Sequence, residues 1–239
     1  MPASAETHGT IAAESHLAPD TARELRDRGF VVMQGPAIPG GPAGLSEAYD
    51  HAVATADPAD IRVSSSTRVN DFVNRGPEFD GLYVYPPVLA ACCRIIGRPF
   101  KLSGTRARTL KPGAPVEPLH VDVQHGADGW PIVGFILMVD PFDADNGATR
   151  FVPGSHGQTG LPGDDDEQVV ACGPAGSIII FNGSAWHGHG ANRSNRRRRS
   201  VQGHFIPREA RAALDHAARM RPATLQRIGS LAKYLLDVE

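Results

Sequence analysis

The second half of this chain is a succession of short strand-like segments with no helical stretch between them. Lys101 to Leu110 alternates polar and apolar side chains, residues 132–140 are largely apolar, and Asn146-Gly147 is typical of a tight turn. Helical periodicity is confined to the flanks of this region. The pattern predicts a mainly β protein with flanking helices, built as a double-stranded β-helix (a jelly-roll, cupin-like barrel). The predicted strands cover residues 101–110, 120–123, 132–140, 148–152, 177–181, 187–191 and 200–206, and the predicted helices cover 20–28, 45–56, 87–97, 209–220 and 223–236.

Chain length and cysteine usage indicate the domain organisation and the expected location. The 239 residues suit one domain, which we predict over residues 18–239 after a disordered tail of small and polar residues over 1–17. Three cysteines, two of them adjacent, make a poor disulfide framework and favour a reducing, cytoplasmic setting. The formal net charge of −2 gives no general attraction to nucleic acid, and no apolar run is long enough to span a bilayer. We therefore expect neither nucleic acid nor a membrane as a partner. No sequence pattern predicts an oligomeric state.

The most specific chemical feature is the tetrapeptide Leu119-His120-Val121-Asp122. Side chains alternate along a strand, so a strand here would present the imidazole and the carboxylate on one face. A second histidine would complete a 2-His-1-carboxylate metal site with open coordination positions, and His187 is the best candidate. These ligands suit Fe(II), although the same three groups would also accept zinc or manganese.

A second feature lies downstream of His187 and concerns an acidic ligand. Arg198 follows His187 by eleven positions, and Ser200 shares its strand face. A buried guanidinium beside a hydroxyl is suited to clamp a carboxylate of a dicarboxylic acid, because its fork matches the two oxygens. Arg198 belongs to a run of four arginines, residues 196–199, which also invites a nucleic-acid interpretation. A strand would point two of them inward and two outward, which favours one clamp among solvated neighbours.

Three segments in this order resemble the phytanoyl-CoA dioxygenase-like (PhyH) family of Fe(II)/2-oxoglutarate-dependent oxygenases. They are Leu119-His120-Val121-Asp122, the segment from Asn146-Gly147-Ala148-Thr149-Arg150 to Ser155-His156, and Trp186-His187-Gly188-His189-Gly190-Ala191-Asn192-Arg193-Ser194 with the arginine-rich strand after it. The opening helix and Gly29-Phe30-Val31-Val32 extend the resemblance towards the N-terminus. The resemblance therefore covers nearly the whole chain.

The resemblance implies roles for individual residues and names the cofactors. His120, Asp122 and His187 become the iron ligands and catalytic centre, with 2-oxoglutarate as cosubstrate and O2 as oxidant. Arg198 becomes the partner of the distal carboxylate of 2-oxoglutarate, with Ser200, Thr149 and His189 as further contacts. His189 stands where the family often has serine, so its role beside His187 stays open. Related halogenases lack the carboxylate of this motif, so Asp122 favours oxygenation or oxidative ring closure.

Candidate substrate residues are polar. Residues 61–80 lack a clear period and suit either a binding loop or a solvated surface loop. Together with the strand at 101–110, this segment predicts a polar small-molecule substrate, and we expect a tailoring step on a natural product, glycosylated ones included, as in antibiotic biosynthesis. The reaction would be hydroxylation or oxidative cyclisation. The substrate candidates are Arg68, Asn70, Asp71, Arg106, Arg108 and Trp130.

Two other functions compete with this interpretation. A metal-dependent jelly-roll isomerase or hydrolase would use the same three ligands without 2-oxoglutarate, and it would not need Arg198 or Ser200. A ligand-binding barrel without catalysis is the third class, and it is disfavoured because all three metal ligands are present.

Overall fold

The computed structural model describes residues 2–124, 131–163 and 166–238. Within these residues the helices are α1 (Pro2–Glu14), α2 (Pro19–Arg28), α3 (Gly41–Ala54), α4 (Asp80–Tyr83), α5 (Pro86–Ile95), α6 (His216–Arg219), α7 (Pro222–Arg227) and α8 (Ser230–Leu236). The strands are β1 (Phe30–Gln34), β2 (Ile61–Val63), β3 (Ser66–Asn70), β4 (Phe100–Leu110), β5 (Val133–Met138), β6 (Thr149–Phe151), β7 (Val169–Val170), β8 (Ser177–Asn182), β9 (His187–His189) and β10 (Arg198–Pro207). Short 3₁₀ turns occupy Pro58–Asp60, Phe72–Asn74, Pro77–Phe79 and Ser155–Gly157.

Two antiparallel sheets form the centre of the described fold. The large sheet has the order β1-β8-β5-β10-β4-β3-β2, and the small sheet has the order β7-β6-β9. The sheets meet at an inner apolar cluster, where the ring of Phe30 from β1 stacks on Phe151 from β6 with centroids 4.3 Å apart. This arrangement agrees with the predicted mainly β barrel with flanking helices.

The helices cover the outer face of the large sheet. Strand alternation sends Val31, Val201 and Phe205 to this face, where they join buried side chains of α3, α5 and α8. Helix α2 ends at Gly29, whose φ of +81° and N–H bond to the carbonyl of Leu25 let the chain turn directly into β1. None of the described helices combines the length and the apolar character that a membrane crossing requires.

Alternation along β10 gives the opposite, inner face a polar character. Arg198, Ser200, Gln202 and His204 point inward, while Val201 lies in the outer core. β10 lies between β5 and β4, so its inward side chains occupy the middle of the large sheet. A central strand with a polar inner row is costly in a barrel that serves only to fold, and it indicates a site there.

Five segments differ from the sequence prediction. Residues 2–14 form α1 where a disordered tail was expected, because Ile11 and Leu17 are buried against the outer core. Residues 61–70 form the hairpin β2–β3, which extends the large sheet, in place of a loop. The strand predicted at 120–123 is a single bridge between His120 and His187. The helix predicted at 209–220 is confined to α6, and the one at 223–236 is split into α7 and α8 before Gly229.

Candidate active site

His120 and His187 are joined through their backbones. The N–H of each donates to the carbonyl of the other at 2.9 Å, and the centroids of the two rings lie 4.5 Å apart. Asp122 follows at once, and its N–H bonds the carbonyl of Gly183 at 2.8 Å. This pairing brings two histidines that are distant in sequence onto one edge of the inner cavity.

The side chains of these residues converge. One ligand atom each from His120, Asp122 and His187 lies within 4.8 Å of the others, and Asp122 Oδ2 is 3.9 Å from His187 Nε2. No other group of three such residues meets this spacing in the described parts of the chain. Sequence reasoning expected one regular strand to align His120 and Asp122. The structure achieves the alignment with irregular backbone held by His187 and Gly183.

Both histidine rings are oriented by main-chain carbonyls. Nδ1 of His187 lies 2.9 Å from the carbonyl of Ala185, and Nδ1 of His120 lies 3.2 Å from that of Pro118. A carbonyl only accepts, so each Nδ1 carries a proton, and Nε2 is the atom that each ring can offer to a metal. Burial lowers the pKa of His187, which keeps the ring neutral. Neutral, oriented imidazoles are the form that binds a metal.

Asp122 is held as a carboxylate. Burial opposes its ionisation, but the hydrogen bond from His204 and the nearby histidines outweigh this and keep its pKa well below the ordinary value. His204 Nε2 lies 3.1 Å from Asp122 Oδ2. Two imidazoles and one carboxylate on one side of a cavity are the donor set of the facial triad of non-haem Fe(II) oxygenases. The residues present therefore fit an Fe(II) ion.

Arg198 lies deeper in the same cavity and is almost completely buried, with 1% of its surface exposed. Its guanidinium donates to the carbonyl of Gly147 at 2.8 Å and to Ser200 Oγ at 3.3 Å, and it lies over the ring of Phe142. Among the described residues no carboxylate pairs with it. Burial, and then the charge of Arg108, lower the pKa of Arg198 to about 9. A buried cation without an anion fits a carboxylate supplied by a ligand.

His189 and Thr149 lie at this deep end and not at the metal cluster. They pair across β9 and β6, and both side chains are buried and line the cavity. His189 Nδ1–H donates to the carbonyl of Gly190 at 2.8 Å, and its Nε2 is 3.8 Å from Glu117. The structure therefore separates the two histidines that sequence reasoning left open, with His187 at the cluster and His189 beside Glu117.

Glu117 is a site residue that the sequence analysis missed. It accepts two hydrogen bonds from Arg108, at 2.8 and 3.2 Å, and lies 3.6 Å from Arg68. Burial disfavours the charged form, but Arg108 outweighs it and lowers the pKa of Glu117 to about 2. An isolated glutamate beside prolines carries no sequence signal for this role. In contrast, the alternation of β10 could have placed Gln202 and His204 on the face of Arg198.

The predicted substrate residues divide into three groups. Register aligns Arg68 with Arg108 and Asn70 with Arg106 on neighbouring strands, which brings all four to the cavity side of the sheet. Asp71 is wrong as a cavity residue. It adopts φ +61° at the end of β3 and turns into a buried cluster with Asn74 and Arg219. Trp130 lies outside the described residues.

Comparisons with known proteins identify the family. The family model described as phytanoyl-CoA dioxygenase (PhyH) matches residues 6–200, and the chain belongs to this family. The dioxygenase cdmA of Talaromyces verruculosus is 35% identical over 117 residues, covering 42% of this chain and 40% of that protein. The multifunctional dioxygenase prhA of Penicillium brasilianum is 27% identical over 219 residues, covering 78% of this chain and 71% of its own. The chain spans only part of the length of its relatives: the alignments cover 40% of cdmA, 59% of the dioxygenase andF of Emericella variicolor and 41% of the dioxygenase trt7 of Aspergillus terreus.

Solved structures confirm the fold. HygX from Streptomyces hygroscopicus, with nickel and 2-oxoglutarate bound, superposes with a TM-score of 0.68 at 15% identity, covering 82% of this chain and 90% of its own. The carbocyclase SnoK from nogalamycin biosynthesis superposes with a TM-score of 0.67 at 14% identity, covering 91% of this chain and 93% of its own. The predicted jelly-roll fold and the predicted family are thus both confirmed.

Proposed function

We propose that this protein is an Fe(II)/2-oxoglutarate-dependent dioxygenase that oxidises an unactivated C–H bond of a polar small molecule. One observation carries the proposal: the cluster of His120, Asp122 and His187 opens onto the same cavity as a buried arginine that pairs with none of the described carboxylates. A metal-dependent hydrolase or isomerase that does not use 2-oxoglutarate would not need that arginine. Family membership and the dioxygenase names of the relatives support the same enzyme class.

Each residue of the cavity has a definite task in this proposal. His120, Asp122 and His187 hold Fe(II), with the histidines binding through Nε2. Arg198 and Ser200 bind the distal carboxylate of 2-oxoglutarate, and Thr149 and His189 enclose that end. Bound Fe(II) and 2-oxoglutarate supply the activation of O2 and the oxidation of the substrate, with release of succinate and CO2. Phe181 packs on His187 with centroids 4.8 Å apart and helps to exclude water from the cluster.

We further propose a tailoring step in natural-product biosynthesis, by hydroxylation or oxidative cyclisation. The polar lining around Asn70, Arg106 and Gln202 supports a polar substrate. HygX has also been solved with hygromycin B, and SnoK is a carbocyclase, so related folds accept such reactions and such molecules. We also propose that the enzyme is cytoplasmic and that its partner is a small molecule, with neither nucleic acid nor a membrane as a partner. Residues 18–239 would form its single catalytic domain, with helix α1 packed against its outer core through Ile11.

The test is an anaerobic titration of Fe(II)-loaded protein with 2-oxoglutarate, followed by the visible metal-to-ligand charge-transfer band. We expect the band in the wild type, its loss in His187→Ala, and its retention in His51→Ala, which removes an exposed histidine of α3. Iron binding without the band in the wild type would contradict the proposal. It would favour the isomerase or hydrolase that does not use 2-oxoglutarate.

A further inference from the structure

Arg106 lies on the boundary between the metal cavity and a second pocket. The adjoining pocket holds about 150 Å³, and Arg106, Gln202 and His204 line both spaces. Register places Asn70 and Gln202 directly beside Arg106 on the neighbouring strands. Arg106 therefore faces a polar opening next to the metal cluster.

The guanidinium of Arg106 is without a partner in the described residues. Its Nε is buried and makes no hydrogen bond, and no ion pair links the side chain to a described carboxylate. The neighbouring arginines differ, since Glu117 pairs with both Arg108 and Arg68. Arg106 is only partly exposed, so its guanidinium has lost part of its hydration, and an anion from elsewhere would compensate for that loss.

The charge of the cavity points the same way. Among the described lining residues, the three arginines Arg106, Arg108 and Arg198 carry one positive charge more than the two carboxylates Glu117 and Asp122. Fe(II) and dianionic 2-oxoglutarate would enter with opposite, equal charges, so loading the enzyme leaves this excess in place. Arg68 beside Glu117 adds to it. A cavity with a retained positive charge attracts an anionic molecule.

The strand register separates Arg106 from the proposed 2-oxoglutarate clamp. Along β10 and β4 the inward pairs run Arg198 with Leu110, Ser200 with Arg108, and then Gln202 with Arg106. Arg106 is thus two rows away from Arg198, towards His204 and Asp122. Arg198 and Ser200 can hold the distal carboxylate of the cosubstrate while Arg106 stays available for another molecule.

We propose that Arg106 binds an oxyanionic group, a carboxylate or a phosphate, of the primary substrate, with the Asn70 and Gln202 amides as neutral donors beside it. This proposal rests on the proposed function and names its substrate class. It predicts that the oxidised molecule is an acid or a phosphate ester, and not a neutral polyol. The anion would anchor the substrate in the adjoining pocket and direct its reacting carbon towards the metal cluster.

The test uses calorimetric titration of Ni(II)- and 2-oxoglutarate-loaded protein with acetate and, separately, methyl phosphate, at constant ionic strength. We expect wild-type protein to bind at least one of them and Arg106→Gln to bind it at least about tenfold more weakly, roughly 1.4 kcal/mol. Arg62→Gln, on the exposed hairpin strand β2, should match wild type. The preferred anion distinguishes an acid from a phosphate ester.

Several outcomes would overturn the proposal. The anion site is excluded if neither anion binds the wild type, or if Arg106→Gln binds the anion as tightly as the wild type does. Loss of the Fe(II)–2-oxoglutarate band in Arg106→Gln would assign the residue to the cosubstrate. The undescribed segment 125–130 contains Asp128. A tenfold gain of anion affinity in Asp128→Asn would make that carboxylate the partner of Arg106. Absence of the band in the wild type would instead contradict the proposed function itself.

Discussion

The four arginines around the cavity differ in what neutralises them. Arg108 and Arg68 share Glu117, whereas Arg198 and Arg106 have no carboxylate within the described residues. Because a buried charge is stable only when it is neutralised, the paired arginines already have their counter-charge, whereas the unpaired ones suit an anionic ligand. Arg106 and Arg108 thus differ in role although they are two positions apart on the same strand: Arg108 is paired with Glu117, and Arg106 is available to a ligand.

Glu117→Gln tests how much the ion pairs of Glu117 with Arg108 and Arg68 stabilise the fold, because their contribution to the free energy of unfolding depends on pH. The pKa of Glu117 is lowered from 4.5 to about 2, so its ionised form contributes stability above about pH 4.5, and this contribution is lost as the pH falls towards 2. We expect the variant to lose about 2–3 kcal/mol at neutral pH, with the difference shrinking in acid. Urea denaturation at several pH values measures it, and a pH-independent difference would contradict this account.

Sequence reasoning found the residues with a motif and missed those without one. His120, Asp122, His187 and Arg198 were predicted from their types and spacing, and the structure brings them to one cavity. Glu117 and His204 were missed, because their roles depend on which partners the fold supplies. Asp71 was misplaced, since the left-handed backbone at that position turns the side chain away from the sheet's inner face.

At the scale of elements, the central strand β5 makes room for the site by carrying glycine opposite an aromatic ring of β8. A Cβ at Gly134 on β5 would lie 2.0 Å from Cζ of Phe181, whose ring packs against His187. The missing side chain therefore leaves room for the ring that borders the metal cluster. Glycine in a strand interior often marks such a close approach.

Gly134→Ala is expected to disturb the cluster from the neighbouring strand. The added methyl must displace Phe181, which should cost about 1–3 kcal/mol of unfolding free energy and weaken metal binding. Denaturation and Ni(II) titration measure the two effects. Gly157→Ala is the control, because no heavy atom lies within 4 Å of its Cβ position. Unchanged metal affinity in Gly134→Ala would show that Phe181 moves without consequence for the cluster.

The C-terminal elements are fastened by buried charges rather than by a long helix. Asp60 accepts from Arg75 at 2.6 Å and from Arg219 at 2.5 Å, and the side chain of Arg75 is only 2% exposed. The helix expected at 209–220 is reduced to one turn here, because these contacts fix the segment in place of regular helical packing. Helical periodicity alone carried no information about this cluster.

Asp60→Asn should therefore be strongly destabilising. It leaves the buried Arg75 without its counter-charge, and we expect a loss of about 3–5 kcal/mol in chemical denaturation. Asp20→Asn removes the exposed pair with Arg23 and should change stability by less than about 1 kcal/mol. Similar losses in the two variants would refute the distinction between the buried and the exposed pair.

At the scale of the whole molecule, the metal ligands belong to segments that only folding brings together. His187 and His120 are 67 positions apart, yet their backbones bond directly. The unfolded chain cannot present this cluster, so a metal with 2-oxoglutarate should bind the folded state and stabilise it.

Loading with Ni(II) alone at about 100 times its dissociation constant should add roughly 2.7 kcal/mol. For a chain of this size that corresponds to a rise in Tm of roughly 5–10 °C, reversed by a chelator. Differential scanning calorimetry measures the shift, and His187→Ala should lose it while His51→Ala keeps it. An equal rise in His187→Ala would place the stabilising metal elsewhere.

The sequence by itself determined the features that depend on local pattern. Alternating and apolar strands with turn dipeptides gave the barrel, and the motifs around His120, His187 and Arg198 gave the family and the candidate ligands. Only the tertiary structure decided which partners each side chain meets. It placed His204 against Asp122, paired Glu117 with Arg108, left Arg106 without an ion pair to the described residues and ordered the N-terminal helix through Ile11. Those outcomes depend on register between distant strands and on burial, which no local pattern encodes.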